Sequence, residues 1–212
     1  MRAALSHRAK MAVVLWVLAL TGCGSMNPVT QQWNPPRVGA TWELAQKNTG
    51  SYGKDTTVQI TRGQGRWNDQ EVITFANSSG PTTMADPQNG RWLAIVGRDG
   101  KPIMSWSPAL GWSYPMKVGD AWTTAYRLTL ATGKVLDYDL KCHIDSYSEI
   151  QVKAGTFPAY KIMCTSTIGN EEIYWNSPTL GIFIKTQLRR TDKSPFGAGT
   201  QEAELISQNI RP

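Results

Sequence analysis

The sequence predicts an all-β fold, a curved antiparallel sheet or half-barrel of about ten strands. Three observations carry that prediction. Strict alternation sets Leu136, Tyr138, Leu140, Cys142 and Ile144 against Asp137, Asp139, Lys141, His143 and Asp145, the period of a half-buried strand. Asp99-Gly100 stands between the apolar runs 92–96 and 103–106, where a tight hairpin turn belongs. Helical periodicity is almost absent beyond residue 37, so successive strands should pair as an antiparallel meander.

The chain opens with a segment that stands outside this fold. Arg2, Arg8 and Lys10 make a positive start with no acidic residue, an apolar run covers 11–20, and Leu20-Thr21-Gly22-Cys23 follows. A charged start, a short apolar run and small residues describe an export signal over residues 1–22. The run is about half of the ~20 residues that a membrane-spanning helix needs. Leu-Thr-Gly-Cys resembles the bacterial lipobox, which implies cleavage before Cys23 and lipid on that cysteine. Three acyl chains hold far more firmly than one, at about 0.8 kcal/mol per buried CH₂.

Residues 23–37 read as a lipidated tether: Pro28, Pro35, Pro36, Gln31, Gln32 and two asparagines lie in it, and it would reach roughly 45 Å if extended. Gly24 rather than Asp follows the cysteine. Under the proteobacterial sorting rule this sends the protein to the outer membrane, facing the periplasm.

Residues 38–212 form the β domain. Strands are marked by Val58/Ile60, Ile73/Phe75, 92–96, 103–106, Ile182/Ile184/Leu188 and Ala203/Leu205. Pairing Leu130 with Leu136 around Thr132-Gly133-Lys134 keeps both apolar faces together, whereas a one-residue slip would turn one of them to water. A second reversal near Lys153-Ala154-Gly155 sets Ile144 opposite Ile162 and Cys142 opposite Cys164. Directly opposed residues have Cα atoms about 4.5–5.5 Å apart, within reach of a disulfide. With Cys23 lipidated, these are the two remaining cysteines of an exported chain, and they are expected to be joined.

Two signatures recur in order. Val38-Gly39-Ala40-Thr41-Trp42 returns as Val118-Gly119-Asp120-Ala121-Trp122, and Ser107-Pro108-Ala109-Leu110-Gly111 returns as Ser177-Pro178-Thr179-Leu180-Gly181. They suggest a duplicated β-unit, 38–111 and 118–181, whose copies close a core together. The four associated tryptophans, Trp42, Trp122, Trp106 and Trp175, should then be buried packing units.

The run Tyr114-Pro115-Met116-Lys117-Val118-Gly119-Asp120-Ala121-Trp122 is followed by two more motifs. They are Val152-Lys153-Ala154-Gly155-Thr156-Phe157-Pro158-Ala159-Tyr160-Lys161 and Tyr174-Trp175-Asn176-Ser177-Pro178-Thr179-Leu180-Gly181. Over about residues 105–190 this resembles the exported β-proteins related to TapB, whose sheet is likened to that of the lipoprotein carrier LolA. The resemblance implies a curved antiparallel sheet and brings no catalytic residue with it.

Chemistry is sparse. Removing Arg2, Arg8 and Lys10 from the 22 basic residues leaves 19 against 16 acidic ones, a net charge of +3 with no basic cluster beyond Arg189-Arg190. That excludes an electrostatic footprint for nucleic acid. His143 is the one histidine after the signal and lies on the polar strand face; no zinc ligand set and no nucleophile–base pair accompanies it. No catalytic residue, metal or cofactor is expected. Ser51-Tyr52-Gly53-Lys54 matches S-x-x-K without its partner motifs. Nine tryptophans against four phenylalanines are more distinctive. Trp67, Trp92 and Trp112 fall outside the repeated signatures and are the candidate binding residues. Trp67 and Trp112 are expected at the surface, Trp67 after a turn at Gly63-Gln64-Gly65-Arg66. The expected function is non-catalytic: a lipid-anchored envelope protein that binds or braces a periplasmic or outer-membrane partner. A binder of lipid or glycan comes second, and an enzyme last.

Overall fold

The computed structural model describes residues 28–210. The signal segment and Cys23 lie outside the described residues.

Twelve strands follow in chain order: β1 (Thr41–Asn48), β2 (Thr56–Trp67), β3 (Gln70–Asn77), β4 (Thr82–Ala85), β5 (Trp92–Val96), β6 (Pro102–Leu110), β7 (Ala121–Leu130), β8 (Val135–Val152), β9 (Gly155–Ser166), β10 (Asn170–Ser177), β11 (Ile182–Arg190) and β12 (Gly199–Gln208). Each pairs antiparallel with its neighbours, and β1 pairs with β12, so the expected curved sheet closes into a complete barrel. Closure removes the two exposed edges that a half-barrel would have to protect. Three strands, β1, β4 and β10, carry no clear sequence signal. β4 is four residues long, and β10 opens with the adjacent acids Glu171 and Glu172, which have no apolar alternation to mark a strand.

Alternation along each strand decides which side chains fill the barrel. In β8, Tyr138, Leu140, Cys142 and Ile144 are buried, and the intervening Asp137, Asp139, Lys141, His143 and Asp145 are exposed. Tyr126, Leu128, Tyr160, Ile162 and Cys164 join the same core. A second cluster gathers Trp42, Val152, Ala159, Ile182, Ile184 and Leu205. It forms where β11 stops pairing with β12, beyond Lys185 and Glu204. The β8–β9 tip fills that split: the Lys153 N–H donates to the Glu204 carboxylate at 2.8 Å and the Ala154 N–H to the Leu205 carbonyl at 3.1 Å.

The cysteine register is as expected. Ile144 faces Ile162, Cys142 faces Cys164, and the two sulfurs are bonded. The β7–β8 hairpin differs by two residues: Leu128, not Leu130, faces Leu136, and Tyr126 faces Tyr138. A two-residue shift preserves which face points inward, so the apolar pattern alone did not exclude it.

The first repeated signature takes the same local form in both copies, and the second does not. In both copies the glycine takes a positive φ, 81° at Gly39 and 93° at Gly119. Gly39 and Ala40 exchange backbone hydrogen bonds with Arg62 as Gly119 and Asp120 do with Ile144. β1 and β7 are six strands apart in a ring of twelve, so the two motifs stand opposite each other. Ser107–Gly111, however, runs along β6, whereas 177–181 forms the β10–β11 turn. A six-strand offset would carry the second unit through β12, not to residue 181. Trp42 is buried, while Trp106, Trp122 and Trp175 are half-buried, so three of the four expected packing units are less enclosed than the repeat suggested.

The tether expectation also changes. Residues 28–37 are not a free linker but a strap across the barrel end where β1 begins. Thr30 makes two backbone hydrogen bonds with Met116, at 3.0 and 2.9 Å. The buried Tyr160 hydroxyl donates to the Pro28 carbonyl at 2.7 Å, and Pro36 is buried. Proline and glutamine content marks an extended chain, which can be docked as well as free.

Candidate functional site

The strap end of the barrel carries a cleft. Trp33 anchors it: the indole N–H donates to the Gly181 carbonyl at 3.2 Å, and the ring stands edge-on to Phe75 with centroids 6.4 Å apart. Two glycines make room. A Cβ on Gly90 would sit 2.8 Å from the Trp33 ring, and one on Gly181 would overlap the Asn34 carbonyl oxygen. Between strap and barrel, Gln32, Trp33, Gln88, Asn89, Arg91, Trp112, Ser113 and Tyr114 line an opening of about 310 Å³. Arg91 is held in place: its Nε donates to the Trp112 carbonyl at 3.1 Å and its guanidinium to the Ser113 hydroxyl at 2.6 Å. Burial, with a smaller contribution from Tyr160, pushes the Tyr114 phenol up to about 12, so it remains a neutral hydrogen-bonding group. Amides, a fixed guanidinium and aromatic rings together suit a polyhydroxylated ligand.

A larger groove of about 510 Å³ opens on the wall, lined by Ser107, Ala125, Tyr126, Arg127, Asp137, Tyr138, Asp139 and Thr167. Two of its three charged residues are paired with each other, and the Asp139 carboxylate stands apart. Arg127 grips Asp137 through two hydrogen bonds, 2.8 and 3.2 Å, which hold that carboxyl below its ordinary range. The groove offers no aromatic face, because Tyr126 and Tyr138 turn inward.

The three candidate tryptophans are not brought together. Trp112 lines the cleft, but its ring packs edge-on against Tyr174 and Phe183, each 5.2 Å away. Trp92 leans on Trp106 at 6.4 Å. Trp67 ends β2, before the left-handed pair Asn68-Asp69, and is half-buried. The expectation that Trp67 and Trp112 are free surface rings is therefore corrected. The run Gly63–Arg66 is strand, not turn. A Cβ on Gly63 would stand 2.6 Å from the Thr74 hydroxyl, so glycine there marks a close cross-strand approach. Trp33, Arg91 and Tyr114 were not foreseen. An aromatic residue inside a proline-rich linker was the available signal for the first of these.

The interior also holds polar groups. Tyr174 donates to the inward-facing Glu172 at 2.7 Å, and burial raises the Glu172 carboxyl above its ordinary range. Arg190 lies over the rings of Tyr52 and Phe196, at 4.1 and 5.1 Å, and closes the far end. The S-x-x-K serine is occupied, since Ser51 donates to the Gly197 carbonyl at 2.8 Å. Among the described residues no three acidic, histidine or cysteine side chains converge as a metal site.

No family model matches the chain, and no curated protein matches it. Solved structures resemble it in outline. An exported protein of Bacteroides fragilis with a YmcC-like fold has a TM-score of 0.48 at 14% identity, covering 84% of this chain and 99% of its own. A lipoprotein of Parabacteroides distasonis gives 0.40 at 11%, covering 85% and 99%. The Escherichia coli K12 lipoprotein YmcC gives 0.43 at 12%, covering 82% and 90%.

Proposed function

We propose that this chain is a non-catalytic, lipid-anchored envelope protein, held through Cys23 on the outer membrane and facing the periplasm, where its barrel binds or braces a partner. Kinship with the TapB-related exported proteins is part of the proposal. The observation that carries the non-catalytic reading is the composition of the strap-end cleft: amides, a fixed arginine and aromatic rings, with no base set beside a nucleophile. The disulfide favours an oxidising compartment. Cys23→Ser should abolish lipid attachment and release the protein from the membrane fraction; unchanged fractionation would refute the anchor. Photo-crosslinking residues at Lys141 on the wall, Lys101 at the far end and Gln88 in the cleft should capture one dominant protein from intact cells at one of the three. Diffuse capture at all three would refute a specific partner.

A second reading, a glycan binder, is favoured by the same cleft. Its lipid-binding variant has less support, since the inward residues of β7–β9 pack against one another and leave no apolar cavity between them. Titration with soluble oligosaccharides should shift amide resonances of Gln88 and Asn89 if it holds.

A further inference from the structure

We infer that the strap end of the barrel lies against the phospholipid surface, so that the protein stands on the membrane in one orientation; the inference rests on the lipid anchor proposed above. The first argument is chain length. A free tether would let the barrel tumble, but the strap is docked from Pro28 onward. Four residues separate Cys23 from Pro28. Five Cα–Cα steps span at most about 18 Å. This end is thus confined near the headgroups, and the far end stands about 25 Å further out, from the strand rise and tilt of a ten-residue strand such as β7.

The second argument is what that end presents. Trp42 and Trp122 lie at the starts of β1 and β7, Trp92 opens β5, Trp67 closes β2, and Trp175 falls near the end of β10. All five positions are at the strap end, with Trp33 and Trp112 beside them in the cleft; Trp42 is buried in the core, and the other six are half-buried, so only part of each of those rings reaches the surface. Trp106, midway along β6, is the exception. Indole rings, apolar with a polar N–H, concentrate at membrane–water interfaces. Val29 and Val38, on or beside the strap, are 46% and 56% exposed; the far end has Ile103 and Val135 exposed as well, so it is the tryptophans that distinguish the two ends. Charge does not select this face, because Arg37 and Lys117 share the rim with Asp69 and Glu71. The contact is therefore apolar and aromatic, and should resist salt.

The test uses the full lipidated protein in phosphatidylcholine vesicles carrying a nitroxide on the headgroup. Fluorophores are placed at V38C, on the strap side, or at I103C, at the far end; both sites are exposed. The Val38 label should be quenched at least threefold more than the Ile103 label, equally in 0.1 and about 0.5 M salt. Equal quenching of the two labels in a protein that floats with the vesicles and carries lipid by mass would overturn the orientation alone. Chains that lack lipid and fail to float would overturn the anchor and this inference with it. A Val38 label shielded from water but not quenched would assign this end to a protein neighbour, and the inference would also fall.

Discussion

Trp33 joins three parts of the chain that are far apart in sequence: the strap, the β10–β11 turn through the Gly181 carbonyl, and β3 through Phe75. Removing a fully buried tryptophan costs about 3–5 kcal/mol; Trp33 is half-buried, so Trp33→Ala should cost about 2 kcal/mol. The loss should be accompanied by protease cleavage within 28–37, read as a lower Tm and a new N-terminus. A lower Tm with the strap still protected would show that the ring packs but does not fasten. Glu172 offers a test of the interior. Its carboxyl is raised, chiefly by burial, so the charged form is disfavoured in the folded state. Stability from this group is present below the unfolded carboxyl value and is lost as pH rises through the raised folded value. Glu172→Gln keeps an acceptor for the Tyr174 hydroxyl and cannot ionise. Its Tm relative to the parent should therefore improve from pH 4 to about pH 7.5; a constant difference would mean that the carboxyl is effectively solvated. Hydrophobic periodicity singles out neither residue. Trp33 sits among tether-like residues, and Glu172 follows an acid that does face outward, Glu171, paired with Arg189 at 2.8 Å.

At the scale of elements, period-two alternation carried most of the information. It located the long strands and the burial of their faces, and it put Cys142 opposite Cys164, because the short β8–β9 reversal leaves few ways to keep both faces apolar. It could not separate registers two residues apart, and so the β7–β8 hairpin was placed one pair too far. Glycine misled in β2, where Gly63 and Gly65 accommodate the Thr74 side chain instead of turning the chain. Short β4 has too few residues to show a period. The disulfide has a defined energetic role in this region. Its cysteines are 22 residues apart, and a loop of that length contributes about 3 kcal/mol in the chain-entropy model. The double variant Cys142→Ala/Cys164→Ala should retain the barrel, since the β8–β9 ladder and its apolar core remain, and should lose about that amount in denaturant unfolding. A loss below about 1 kcal/mol would indicate that β8 and β9 stay associated in the unfolded chain.

For the whole molecule, closure was the feature least accessible from sequence. Whether twelve strands make an open sheet or a ring depends on one pairing, β1 with β12, between segments some 160 residues apart. The clue lay in the repeated Val-Gly-x-x-Trp motif, whose copies fall on opposite sides of the ring, but the mismatched second signature concealed the six-strand offset. Closure also raises the question of which side of the wall is apolar. A barrel that spans a membrane carries its apolar residues outside, and lysine or arginine at the bilayer midplane costs about 2–4 kcal/mol each. Here the polarity is reversed. Tyr138, Leu140 and Ile144 point in, while Asp139, Lys141 and His143 point out, and the ion pairs Arg127–Asp137, Lys161–Asp145 and Arg189–Glu171 lie on the wall. Such a wall belongs in water, and on the proposed reading membrane attachment comes from the N-terminal lipid and the strap end, not from the strands. The exported Cys23→Ser chain should consequently purify without detergent as a folded, soluble protein. Light scattering and circular dichroism in plain buffer would check this. Aggregation that detergent reverses, with the β signal intact, would mean that apolar surface beyond the strap end is exposed, and the water-facing assignment of the wall would fail.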